Sequence, residues 1–170
     1  AFVNGVSRNN IARVNADGTL DTGFNPNING AVESVALQPD GKILLGGDFG
    51  ADNIRRVNAD GTPDPTFTCS ASENVHCMAV QTDGRILIGG FFSTVNGVSH
   101  SFLARLNSNG TLDTSVPPTD SYVYSIALQS DGKALVGGRF TMINGTTRNR
   151  VARLNTDGTL DAAFNPNLNW

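Results

Sequence analysis

The chain has 170 residues, a net charge of −3 and only 16% charged residues. That length can bury one good core, while so weak a charge balance carries no footprint for nucleic acid or an anionic membrane surface. No apolar run approaches the roughly 20 residues of a membrane span, so membrane insertion is not expected.

The organisation comes from copying. Gln38, Gln81 and Gln129 stand 43 and 48 residues apart, and Asn15, Asn58, Asn107 and Asn155 follow in steps of 43, 49 and 48. Periods of about 40 to 50 residues that hold several short strands indicate β-propeller blades. A helical repeat would need apolar residues spaced by three and four, and these segments lack that spacing. Residues 1–25 read as the second half of a unit, because Ala1 falls in the middle of a repeat. Complete units follow at about 30–67, 74–116 and 121–164, with a tail at 165–170, all in one propeller segment.

Each unit is expected to form four antiparallel strands. The first, at 32–37, 75–80 and 123–128, alternates a small and a larger apolar face, as a strand buried between two neighbouring sheets would. Tight turns at Asp40-Gly41, Asp83-Gly84 and Asp131-Gly132 lead into the second strand. That strand ends in Gly46-Gly47, Gly89-Gly90 or Gly137-Gly138. Paired glycines imply a bulge or close approach, so Gly46, Gly89 and Gly137 are expected to abut a neighbouring unit. Third strands cover 11–15, 54–58, 103–107 and 151–155. A second Asp-Gly or Asn-Gly turn and a short outer strand close the unit, and Pro63 and Pro65 fit such an edge.

Three constellations compete with bland readings. The run Asn15-x-Asp17-Gly18-Thr19-x-Asp21 and its copies resemble the middle of a calcium loop. Yet Arg13, Arg56, Arg105 and Arg153 stand where the first carboxylate would be, so turn chemistry is the better reading and no cofactor is expected. The same arginines precede Asp21, Asp64, Asp113 and Asp161 by eight residues. Across the hairpin that places each pair at diagonal distance, as a repeated structural salt bridge. Cys69 and Cys77 leave two readings open, a disulfide across the link between units or two small buried thiols. His76 and His100 carry no recurring carboxylate or Cys pattern that would make a metal site or general base.

In order along the chain, Ala-Leu-Gln-x-Asp-Gly-Lys-x-Leu-x-Gly-Gly-x-Phe and Ala-Arg-Leu-Asn-x-Asp-Gly-Thr-Leu-Asp recur. This paired motif resembles the delta-60 repeat β-propeller family of bacterial proteins over nearly the whole chain. The resemblance implies a propeller fold and a place on large exported proteins, and it brings no catalytic residues. The sparse lysines, Lys42 and Lys133 alone, and abundant Asn, Gly, Ser and Thr fit an extracellular or cell-surface location.

The reading is a non-enzymatic binding or display module, an adhesin-like segment of a larger exported protein that meets a protein or glycan. The alternative is a structural building block of a filament or surface layer, joined by blade edges and ends. Long variable loops gather at one end of the propeller, where binding usually lives. Their candidate ligand-face residues are Asn4, Arg8, Asn9, Asn96, His100, Asn144 and Arg148. Convergent aromatics and carboxylates at that end would favour ligand binding, and flat apolar faces would favour assembly. The opening half unit offers only third and fourth strands, and the tail is too short for a first and second. The ends are therefore expected to be covered by further repeats or by other subunits.

Overall fold

The computed structural model describes residues 2–50 and 52–168, and among them there are only strands and turns. The half unit carries a hairpin of β1 (Phe2–Val3) and β2 (Val6–Ser7). Unit 1 contains β3 (Ala31–Leu37), β4 (Ile43–Asp48) and β5 (Ile54–Val57). Unit 2 contains β6 (Val75–Val80), β7 (Ile86–Gly90), β8 (Thr94–Val95), β9 (Val98–Ser99), β10 (Leu103–Leu106) and β11 (Leu112–Asp113). Unit 3 contains β12 (Val123–Leu128), β13 (Ala134–Gly138), β14 (Met142–Ile143), β15 (Thr146–Thr147) and β16 (Val151–Leu154). The architecture is all-β, an open β-propeller segment of small antiparallel sheets.

Unit 2 forms the expected four-stranded sheet, in the order β11-β10-β7-β6. Units 1 and 3 keep three strands, and the fourth shrinks to one bridge, Val57 to Pro63 and Leu154 to Leu160. In all three units the strand ends in the same Asx turn: Asp64, Asp113 and Asp161 accept, through Oδ1, the N–H groups of Thr66, Ser115 and Ala163 two residues on.

The strict alternation expected of the first strand is broken. A bulge lies between Val32 and Ser34, Val75 and Cys77, and Val123 and Ser125. One extra residue turns the strand over. Val75 therefore shares a face with Met78, and both meet Gly46 of unit 1. Burial on both faces also fails at β3, where Val35 and Leu37 are exposed. Among the described residues, no first or second strand of another unit packs over them.

Glycine makes the close approach between sheets. A Cβ on Gly46 would lie 2.9 Å from Val75 Cγ1, and one on Gly89 would lie 2.5 Å from Val123 Cγ1. Gly137 departs from the pattern: a Cβ there would meet only the Arg150 carbonyl, at 3.9 Å. No sheet packs on that face among the described residues. Aliphatic clusters fill each junction, with Leu44, Ile54, Ile86 and Ile88 between units 1 and 2, and Leu87, Leu103, Val123 and Val136 between units 2 and 3. Cys69 lies in the first of these layers and Cys77 packs against the second, so the thiols are free and on opposite sides of the unit 2 sheet. Burial pushes both thiols up to about 12.

The arginine ladder stitches the junctions from outside. Arg13, Arg56, Arg105 and Arg153 donate through Nε to Asp21, Asp64, Asp113 and Asp161 at 2.8, 2.7, 2.8 and 2.9 Å. Arg105 and Asp113 are direct cross-strand partners, not diagonal ones, because the turn between them spans three residues, 108–110, and is centred on Asn109. Their guanidinium groups also reach forward. Arg13 donates to the Ala59 carbonyl, Arg56 to that of Ser108, and Arg105 to those of Thr156 and Asp157. Each acceptor is in the outer turn of the following unit.

Candidate functional site

In the half unit and in units 2 and 3 the loops before the third strand fold into hairpins rather than irregular stretches. Asn4-Gly5, Asn96-Gly97 and Asn144-Gly145 all have positive φ, the geometry of the two-residue turn that matches strand twist. Each full hairpin leans on the link into its own unit: Ala71 bridges Val95, and Thr119 bridges Ile143. Asn96 is fully engaged in this, accepting from the Ser70 N–H and donating to the Gly110 carbonyl.

These contacts decide where the seven loop candidates stand. Arg8, His100 and Arg148 occupy equivalent positions and are buried. Arg8 donates to the Asp21 and Thr22 carbonyls, Arg148 to that of Ala162, and His100 hydrogen-bonds the Val116 backbone. Burial pushes the His100 imidazole below its ordinary value. Asn9 pairs with Asn27, while Asn4 and Asn144 sit at separate hairpin tips. The fold does not bring the seven together; it uses most of them to tie hairpins down.

What converges at this end is a different set. The bulged residues of the three first strands are Glu33, His76 and Tyr124, one per unit. The bulge re-aims each side chain out of the sheet packing. His76 Nδ1 is paired with the Glu33 carboxylate, whose other oxygen accepts from Asn74 Nδ2 at 3.3 Å. His76 also stands edge-on to Phe91, with ring centroids 4.3 Å apart, and Phe91 packs on Tyr122 at 4.2 Å. Tyr124 lies 6.2 Å from both His76 and Phe91, and Phe102 stands edge-on to Tyr122 at 5.2 Å. Tyr124 is 46% exposed. Phe102 has φ +64, and Asn10, Asn53 and Arg150 at the equivalent positions share this left-handed conformation, so it belongs to the repeat's entry into the third strand.

This patch can offer aromatic faces, a carboxylate and an imidazole across three units. A stacked ring flanked by hydrogen-bonding groups suits a ligand with an apolar face and polar edges. No group of His, Cys, Asp or Glu able to hold a metal occurs among the described residues. In the outer turns the carboxylates serve the backbone instead: Asp17 Oδ1 accepts from Thr19 N and Oγ1, and Asp60 and Asp157 repeat this with Thr62 and Thr159.

The repeat pattern matches a family model described as a domain of unknown function (DUF5122) β-propeller, over residues 1–24, 38–67, 81–115 and 129–164. The chain belongs to this family. The matched segments of the DUF5122 propeller begin at the inner turn of each full unit and omit the first strands. Glu33, His76, Tyr122 and Tyr124 therefore lie outside the family's pattern, and Phe91 and Phe102 lie within it. No curated protein matches the chain.

The sequence reading missed this cluster because it set His76 aside for want of a recurring partner. Aligning the bulge positions shows why: the three units place Glu, His and Tyr there, so the chemistry varies where the geometry repeats. The signal that could have found it was the aromatic density around 91, 102, 122 and 124.

Proposed function

We propose that this chain is a non-enzymatic binding and display module of an exported, cell-surface protein, which meets its ligand on the patch formed by Glu33, His76, Tyr122 and Tyr124. The observation that carries this reading is the convergence of aromatic rings and a carboxylate on three adjacent bulges, at the end where loops gather. Support for the exported setting comes from the lysine-poor composition and the resemblance to delta-60 repeats. A neutral oligosaccharide fits the patch best among surface ligands, since its ring can stack on Tyr124 while hydroxyls reach Glu33 and His76.

The test is an NMR titration with a panel of neutral oligosaccharides. Shifts centred on Tyr124, Tyr122 and His76 are expected, and they should vanish in Tyr124→Ala while the rest of the spectrum stays native. Shifts confined to other surfaces, or none with any sugar, would overturn the reading.

A further inference from the structure

Arg8, His100 and Arg148 fill one slot of the repeat. Each side chain reaches from the loop before the third strand to the exit of the fourth. Arg8 donates to the carbonyls of Asp21 and Thr22 at 3.5 and 3.4 Å, and Arg148 to that of Ala162 at 3.3 Å. His100 bonds the Val116 backbone in the same way. Both arginines are 6% exposed and His100 is 7%, so the slot is a buried seat for a basic group.

Unit 1 lacks the plug. Ten residues separate Phe92 from Leu103 and Phe140 from Val151, but only four separate Phe49 from Ile54. The hairpin is missing, and counting back from the third strand puts Ala51, outside the described residues, at the Arg8 position. A methyl group has no N–H to offer. Among the described residues no side chain donates to the carbonyls of Asp64 and Pro65, the counterparts of Asp21 and Thr22. At this place is a cavity of about 290 Å³, lined by Ile54, Asp64, Phe67 and Thr68 and by Pro26 and Ile28 of the preceding link. The short loop is held away from it, because Asn53 donates to the Ala71 carbonyl at 3.1 Å and the Asp52 carbonyl accepts from the Ala71 N–H at 2.8 Å.

Charge does not close this seat to a cation. Asp64 is shared by Arg56 and Lys42, and unit 3 accommodates Arg148 beside the same arrangement of Asp161, Arg153 and Lys133. Peculiar to unit 1 is Arg55, which stands where the other units have Ala12, Ala104 and Ala152. It does not replace the plug. Its guanidinium lies over the Phe49 ring at 5.6 Å and 3.8 Å from Asp52, and it donates to neither exit carbonyl.

We infer that the cavity of unit 1 binds a guanidinium group supplied from outside the chain, seated against the carbonyls of Asp64 and Pro65 as Arg8 is seated against those of Asp21 and Thr22. The group belongs to a small guanidinium compound or to an arginine side chain of a partner. Its methylenes lie on Ile54 and Phe67, and its planar fork of N–H donors meets the carbonyls. The seat is independent of any ligand at the aromatic patch.

NMR titrations with agmatine and with the peptide acetyl-Gly-Arg-Gly-amide test this. Saturable shifts of the Ile54, Phe67 and Thr68 amides are expected. Putrescine, with the same chain and no guanidinium fork, should bind several-fold more weakly. Saturation by the peptide at several-fold lower concentration than agmatine assigns the seat to a partner's arginine, and the reverse order assigns it to a small compound. Ala51→Arg returns the plug to the chain and should abolish the shifts. Arg55→Ala removes the neighbouring cation, as in the other units, and should bind agmatine several-fold more tightly. Absence of saturable shifts at these amides with both probes would overturn the inference, as would equal binding of putrescine or undiminished binding to folded Ala51→Arg. So would loss of agmatine binding in folded Arg55→Ala, which would make the cavity an anion seat served by Arg55. Circular dichroism establishes folding, and should Ala51→Arg fail to fold, Arg55→Ala and putrescine decide.

Discussion

At the scale of single residues the arginine ladder shows how one motif acquires different weights. Arg105 is 1% exposed and bonds Asp113, Ser115 and two carbonyls of unit 3. Arg13 makes the same kind of contacts, but its side chain is 40% exposed. Removing a buried, multiply bonded cation leaves its partners unpaired, whereas an exposed pair is screened by water. Arg105→Ala should therefore lower stability by about 3 kcal/mol, and Arg13→Ala should barely move it. Urea unfolding of both variants checks the contrast, and equal losses would show that burial is not what sets the weight.

At the scale of elements the second strand and its glycine pair govern packing. Gly89 has an ordinary strand backbone, so a side chain there is opposed by packing alone, from Val123 of unit 3 and from Cys77 Sγ in its own sheet. Gly89→Val should overpack this junction and lower the melting temperature by several degrees. Gly137→Val meets open space and should leave it unchanged or raise it slightly, since valine favours strands. A scanning calorimetry pair settles this, and equal losses at both sites would remove the close-approach argument.

The same elements show how far sequence reasoning reaches. The repeat, the inner hairpins, the arginine ladder and the close approach at Gly46 and Gly89 were all legible, because each rests on local spacing or turn chemistry. The bulge was legible only as an option, since a glycine pair marks irregularity without saying which strand carries the extra residue. Once the bulge is placed, Val75 joins Met78 and His76 is expelled toward solvent. The candidate site follows from that register shift, which periodicity cannot register. The loop hairpins could have been read from Asn4-Gly5, Asn96-Gly97 and Asn144-Gly145, whose turn signal was passed over beside the longer repeat.

Across the whole molecule the ladder carboxylates make stability depend on acid. Lys42, with Thr66 and Arg56, holds the Asp64 carboxyl well below its ordinary range. Lys133, with Arg153, brings Asp161 to about 2, and Arg13 lowers Asp21 in the same sense. In the unfolded chain these groups titrate near 3.9 or about that value. Their contribution is complete above that pH and is lost as pH falls through it toward the folded values. The melting temperature should fall modestly between about pH 7 and 5, where unfolded His100 gains a proton that its buried imidazole resists, and drop further between about 4 and 2. Asp64→Asn should be less stable than wild type at neutral pH, with the deficit shrinking below about pH 4. A deficit of constant size down to the acid limit would refute this origin.

The ladder also has a direction, since the guanidinium groups of Arg13, Arg56 and Arg105 reach toward the C-terminal neighbour and, among the described residues, none reaches back. On the ribosome Arg105 is made long before its acceptors, the carbonyls of Thr156 and Asp157, which lie 51 and 52 residues later. A newly emerged sheet must wait, with its cation hydrated, until the following one has left the exit tunnel. Maturation therefore runs as a lagging wave, each sheet locked only by its successor, and translation that stalls between two units leaves the last one made as the loosest part of the nascent chain.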